Sequence, residues 1–282
     1  MNEAKNYTDE ELQNLKRVQL EIFDEVVGLC ERHNIEYVAV AGTVLGAVRH
    51  NGYIPWDDDL DIAMIRDDYD RFLKIAEKEL GDRFFLQNYD TEKNSIAYFS
   101  KIRKNGTLFV QDADLNTTAH KGIFIDVFPF DNLPDSRFKK KIFRFVQIIL
   151  YQIFIAKSTV GMMGTNNSFK GKCKQMARTI LHIVAIPISK GYLYNELDKL
   201  LRKYNGVDTE SVMQSPEFAR NGLVFPKKWI FPTVKEEFEG RLINVPCEKN
   251  KYLELRYGKD FMQLPPKSKR FNHRPIKLFF EK

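Results

Sequence analysis

Cysteine is scarce in this chain: Cys30, Cys173 and Cys247 are the only three in 282 residues, and they lie far apart. An odd, dispersed set with no Cys-x-x-Cys and no Cys/His ligand spacing excludes a disulfide framework and a structural zinc centre, and fits a reducing compartment. Long hydrophobic runs are also missing. The longest, inside SRFKKKIFRFVQIILYQIFIAK (136–157), spans about 15 residues, which as a helix extends about 22 Å against a hydrocarbon layer of about 30 Å. The amino terminus, MNEAKNYTDEELQNL, is polar and acidic with no apolar h-region. It marks neither export nor an anchor, so the expected location is cytoplasmic, with the inner face of the membrane as the alternative. No internal repeat or low-complexity tract occurs.

What is present is a globular composition, 43% hydrophobic and 29% charged, enough for one large or two modest domains with a substantial core. The net charge of +6 and pI near 9.0 favour anionic partners: nucleotides, phosphorylated glycans, nucleic acid or an anionic membrane surface. Nucleic acid is the weakest of these, because no binding motif is present and the lysines are dispersed.

Thr8 and Glu11 form a capping box. Leu12, Leu15, Val18, Ile22, Val26 and Leu29 follow at helical spacing, predicting a long amphipathic helix that ends near His33. IEYVAVA (35–41) reads as a buried strand stopping at Gly42-Thr43, with a short helix, VLGAVRH, after it. DLDIAMI (59–65) reads as the next strand, and Asp67-Asp68 as the cap of a helix reaching Leu80. RFFLQ (83–87), IAYFSKIRK (96–104) and GIFIDVFPF (122–130) are further strands, so the fold class is α/β or α+β.

After Pro134 the composition shifts to two apolar helical runs, 136–157 and 176–192, separated by a Gly-, Asn- and Lys-rich loop, 160–174. The favoured reading buries both runs against the core; the alternative is a basic amphipathic surface on a membrane. A helix at 192–205, Pro-punctuated strands at 224–246 and a short helix from 252 into Pro265-Pro266 complete the chain.

The chemistry concentrates in YIPWDDDLDIAM (53–64). Alternation along a strand puts Asp59 and Asp61 on one face, with Leu60 and Ile62 towards the core; Asp57 joins the pair if the strand starts early, and Asp58 faces elsewhere. Two bare carboxylates about 5 Å apart repel by about 3 kcal/mol at an effective dielectric near 20, so a positive charge is expected between them. Oxygen ligands in an Asp-x-Asp pair suit Mg²⁺ or Mn²⁺ with substrate phosphates. Gly42-Thr43 at a strand-to-helix junction is suited to phosphate, Arg49 can add a charge-assisted contact, and Asp126 interrupts an apolar strand as a third carboxylate. Lys101 and Arg103 share a strand face and can hold a pyrophosphate. His120 and His273 are further phosphate candidates. Trp56 packs the acidic loop and offers a ring face to a cation.

AGTVLGAVRHNGYIPWDDDLDIAM (41–64), GIFIDVFPFDNLP (122–134) and YLELRYGKDFMQLPP (252–266) together resemble the LicD family, which transfers phosphocholine from CDP-choline to bacterial surface glycans. The signature is shared with fukutin-type phosphoribitol transferases. The resemblance implies a nucleotidyltransferase-like mixed sheet flanked by helices, with a catalytic core at 1–135, a mainly helical accessory region at 136–220 and a completing segment at 221–282. It implies that Gly42-Thr43 is the phosphate-side motif, and that Asp59, Asp61 and Asp126 hold two Mg²⁺ or Mn²⁺ ions and are the catalytic carboxylates, with Asp57 supporting them. The implied donor is CDP-choline or another CDP-alcohol, the acceptor a glycan or glycolipid hydroxyl, and the released product CMP. The rivals are a nucleotidyltransferase attaching NMP to a small molecule or RNA, and a non-catalytic basic binding protein.

Overall fold

The computed structural model describes residues 6–281 except 96, 112–113, 116, 159–175, 177–178, 184 and 215–222. The loop expected at 160–174, part of the second apolar run and Cys173 lie outside the described residues. Helix α1 (Asp9–Arg32) carries the expected capping box, the Thr8 hydroxyl accepting from the Glu11 N–H and the Glu11 carboxylate from the Thr8 N–H. Its apolar stripe is buried from Leu15 to Cys30, so the period read from the sequence is the face it seals.

The main sheet runs in the order β1 (Val38–Ala39), β2 (Asp61–Ile65), β6 (Phe124–Leu133), β4 (Ser100–Lys104), β3 (Phe84–Gln87). β2 and β6 are parallel; the other pairs along this path are antiparallel, so the sheet is mixed. β6 is long enough to pair twice on its second edge, with β4 through residues 124–127 and with β7 (Ser211–Gln214) through residues 130–133. β7 therefore extends the main sheet, although it falls in the span expected to be helical, and β8 (Val224–Pro226) pairs beyond it. Two small ladders flank the sheet: β9 (Val234–Phe238) with β10 (Arg241–Val245), and β5 (Leu108–Val110) with β11 (Lys277–Phe279). The last ladder returns the basic tail to the first half of the chain.

Three local expectations are corrected. β1 has two residues rather than seven, because Ala41 turns into the left-handed region (φ 52°) and starts α2 (Ala41–His50). β2 begins at Asp61, leaving Asp57 to Asp59 in the approach loop. Asp67 and Asp68 do not cap α3 (Arg66–Glu79): β2 runs into that helix without a loop, and no side chain caps it. The Asp68 carboxylate instead accepts from the Glu36 N–H and from Arg71.

α4 (Arg137–Ser158) and α5 (Lys190–Leu201) pack together over a second, smaller core containing Phe143, Tyr151, Phe154, Leu193 and Leu197. Among the described residues only one face of α4 is covered; Phe138 and Phe145 are 73% and 65% exposed, which the buried reading of this run did not anticipate. Among the described residues no helix is long and apolar enough to cross a membrane. Beneath α3, Arg66 and Asp131 form a bidentate pair at 2.7 and 2.6 Å, with both side chains almost fully buried.

Candidate active site

The cleft is built around a row of charges set by strand register. Asp61 on β2 is the partner of Asp126 on β6, and Asp126 is in turn the partner of Lys101 on β4. Registered residues on adjacent strands share a face, so carboxylate, carboxylate and ammonium stand side by side. Lys101 Nζ donates to Asp126 Oδ1 at 2.6 Å, supplying one of the positive charges the acidic cluster requires.

The approach loop brings in the rest. It is fastened to α1 from below: Lys16 Nζ donates to the Ile54 and Pro55 carbonyls, and Gln19 to the Asp58 carbonyl. The buried Asp58 carboxylate accepts from the Tyr7 hydroxyl, from the His273 N–H at 2.9 Å and lies 2.9 Å from His273 Nδ1. Asp58 is therefore the anchor that draws the carboxy-terminal tail over the site. Its neighbours Asp57 and Asp59 face the cleft instead, together with Asp61 and Asp126.

The electrostatics follow from that crowding. Burial, then the Asp59 charge, pushes the Asp57 carboxyl up to about 8. Burial, then Asp59 and Asp126, holds Asp61 well above the ordinary carboxylate range, and Asp59 is raised mainly by burial while His273 pulls it back. His273 lies 3.9 Å from Asp59. Burial lowers its pKa, but the hydrogen bond to Asp58 and the charges of Asp59 and Asp58 outweigh that and place it at about 9, so the imidazole is cationic at neutral pH. Lys101 is lowered by burial and supported by Asp126.

The cleft has a volume of about 930 Å³, lined on one side by Gly42, Trp56 and the carboxylates and on the other by Tyr257, Phe261 and the Leu264–Pro266 loop. Ala41 donates its N–H to the Tyr252 hydroxyl at 2.9 Å, and its left-handed backbone presents Gly42 to the acidic loop. A Cβ on Gly42 would stand 2.5 Å from Asp57 Oδ2. Gly42→Ala is accordingly expected to displace the Asp57 carboxylate and cost about tenfold or more in turnover. The melting temperature should stay close to the parent's, since the atom in the way ends a side chain and not a backbone segment. Parallel rate and thermal-melt measurements check this, and an unchanged rate would show that the contact is dispensable.

Other expected site residues are placed differently. The Thr43 hydroxyl accepts from the Asp61 N–H at 2.9 Å, so it fixes the start of β2. Arg49 lines the cleft but donates to the Phe261 and Gln263 carbonyls, tying the 258–266 loop to α2. Arg103 is buried, donating to Gln87 Oε1 and the Gly122 carbonyl, and does not line the cleft. His120 is also away from it, between Asn105 and the Gly122 N–H and stacked on Phe85. The Trp56 ring carries the Arg270 guanidinium at 4.2 Å. Sequence reading passed over Arg256, which lines the cleft and moderates the Asp61 charge, as well as Tyr252 and Tyr257. YLELRYG was visible as a motif, but nothing in it located these side chains beside residues about 200 positions earlier.

Four converging carboxylates with oxygen-only donors suit a hard divalent cation. Among the described residues no three His, Cys, Asp or Glu side chains are preset around one point. A centre of the Mg²⁺ type does not require three, because it takes one or two carboxylates and completes its shell with phosphate oxygens and water.

Comparisons with known proteins agree with one another. The description "LicD/FKTN/FKRP, nucleotidyltransferase domain" matches residues 34–155, which contain the whole acidic cluster, Lys101 and Asp126. The lipopolysaccharide cholinephosphotransferase LicD of Haemophilus influenzae is 27% identical over 273 residues, covering 93% of this chain and 95% of that protein. An uncharacterized protein of Rickettsia typhi is 41% identical over 83 residues, 29% of this chain and 26% of the relative. The human ribitol 5-phosphate transferase FKRP is 30% identical over 78 residues, 28% of this chain and 16% of its own length.

Proposed function

We propose that this chain is a LicD-type phosphotransferase that transfers phosphocholine from CDP-choline to a hydroxyl of a lipopolysaccharide-type glycan or its lipid-linked precursor, releasing CMP. The observation that carries the reading is the registered pair Asp61 and Asp126, with Asp57 and Asp59 beside it in a cleft large enough for a nucleotide and Lys101 paired to Asp126.

In the proposed reaction the acceptor oxygen forms a bond to the β-phosphorus, the bond from that phosphorus to the oxygen bridging to CMP breaks, and the acceptor proton passes to a cleft carboxylate. Asp59, Asp61 and Asp126 would hold Mg²⁺ or Mn²⁺, which supplies charge neutralisation on the attacking and leaving oxygens. The protein's own groups do the remaining work. Lys101 orients Asp126 through its 2.6 Å contact, the His273 imidazolium offsets the charge at Asp59, and Gly42, lacking a side chain, lets the Asp57 carboxylate stand against the start of α2. Arg49 holds the Leu264–Pro266 wall in position through its two carbonyl contacts. Trp56, Phe99 and Phe271 give the cleft aromatic surface, suited to a quaternary ammonium.

A screen of CDP-choline, CDP-ethanolamine, CDP-glycerol, CDP-ribitol and nucleoside triphosphates with Mg²⁺ tests this directly. CMP release from CDP-choline is the expected result. CMP from a different CDP-alcohol keeps the reaction class and changes the group carried, while pyrophosphate from a triphosphate would replace the proposal by nucleotidyl transfer. No turnover of any donor would favour the non-catalytic reading.

A further inference from the structure

Helix α4 is apolar on two opposite faces. At about 100° per residue, Phe143, Gln147, Tyr151 and Phe154 form the stripe that faces α5 and the smaller core, and all four are buried. Phe138, Ile142, Phe145 and Ile149 fall within about 60° of arc on the other side, and they are 73%, 48%, 65% and 41% exposed. A soluble helix normally turns a polar face outward. Here the outward face carries two phenylalanines in a contiguous row, an arrangement that marks an interaction site.

Charge identifies what the face meets. The 22 residues of α4 include Arg137, Lys139, Lys140, Lys141, Arg144 and Lys157 and not one Asp or Glu. Lys141 and Lys139 flank the exposed stripe on opposite sides, and both are exposed. The apolar surface continues beyond α4: Lys157 Nζ donates to the Ala185 and Ile186 carbonyls, which brings the exposed Ile183 and Ile186 to the far end of the stripe. A protein partner of ordinary composition would match the apolar row without requiring a rim of one sign. A bilayer surface with anionic headgroups matches both the row and the rim.

We propose that the outward face of α4, with Ile183 and Ile186 at its end, is a monotopic docking surface for an anionic lipid bilayer. The helix lies in the interface plane with Phe138, Ile142, Phe145 and Ile149 among the acyl chains and Lys139 and Lys141 at the headgroups. Such docking would hold the enzyme at the surface where a lipid-linked acceptor resides, yet it does not depend on which donor or acceptor is used.

The experiment is flotation of the full chain with vesicles that carry neither nucleotide nor glycan. Wild-type protein is expected to float with phosphatidylcholine/phosphatidylglycerol vesicles and to float weakly with phosphatidylcholine alone. Binding should fall when ionic strength is raised to about 1 M, where charges are screened within about 3 Å. The double variant Phe138→Glu/Phe145→Glu is expected to lose about tenfold or more of the bound fraction, with its circular dichroism unchanged because both side chains already face solvent. Lys139→Glu/Lys141→Glu should abolish the preference for phosphatidylglycerol while the melting temperature holds. Failure of the wild type to float at low salt, or flotation indifferent to both double variants, would overturn the proposal. So would a wild-type dimer in light scattering that becomes monomeric in Phe138→Glu/Phe145→Glu, since the face would then belong to a second copy.

Discussion

Asp61→Asn is expected to remove transferase activity, by about a hundredfold to a thousandfold, while leaving the protein as stable as the parent or more so. The two effects have one origin. Asp61 is 6% exposed, sits in register with Asp126, and has Asp59 as its next charged neighbour in the cleft. Burial and those charges raise its pKa, so the folded protein binds the proton more tightly than the unfolded chain does. Stability then falls as pH rises out of the ordinary carboxylate range, and it is at its lowest, for this group, once the folded-state pKa has been passed. Asparagine keeps the shape and removes the charge, so that loss disappears together with the oxygen donor. For a chain of this size each kcal/mol recovered raises the melting temperature by about 2 to 4 °C. Activity and thermal melts measured at several pH values on one preparation check both halves, and retained activity would exclude Asp61 from the chemistry. Asp58→Asn provides the contrast: its carboxylate is a buried acceptor for Tyr7 and His273, so stability should fall.

Asp131→Ala should be the most damaging single change to the fold, at about 3 to 5 kcal/mol. Asp131 is fully buried, accepts two hydrogen bonds from Arg66 and one from Asn205, and lies on β6 where that strand switches its pairing to β7. The Arg66 side chain is 4% exposed. Without its partner the guanidinium remains buried beneath α3, beside the Tyr69 and Tyr98 rings at 5.3 and 6.0 Å, which offset the charge far less than a carboxylate does. Replacing both residues, as in Arg66→Met/Asp131→Leu, is expected to recover most of the loss because no charge then remains to be buried. Urea unfolding of the single and double variants measures it, and a single variant within about 1 kcal/mol of the parent would show that Arg66 finds water or another acceptor.

Much of this was legible from local pattern. The capping box and apolar stripe of α1, the mixed class and the run at 136–157 as a helix follow from periodicities that a chain segment carries within itself. So did the separation of Asp58 from Asp57, Asp59 and Asp61, although the strand starts two residues later than alternation suggested. What failed were statements about where a polar side chain ends up. Lys101 and Arg103 are indistinguishable on strand alternation. One meets Asp126, and the other is held away from the cleft by Gln87 and the Gly122 carbonyl. His120 and His273 looked alike as lone histidines, yet only His273 reaches the cleft, because the tail is tethered to Asp58.

By itself the sequence determined the elements, the acidic cluster at the edge of a core strand and the excess of positive charge, since each depends on neighbours within a few residues. Only the tertiary structure decided which charges meet. Strand register aligned Asp61, Asp126 and Lys101, and packing of the last helix and tail over the first hundred residues brought Arg256, Tyr252 and His273 to the same cleft. These are contacts between segments about 25 to 200 residues apart, and their free energy arises from burial and pairing that no local window contains.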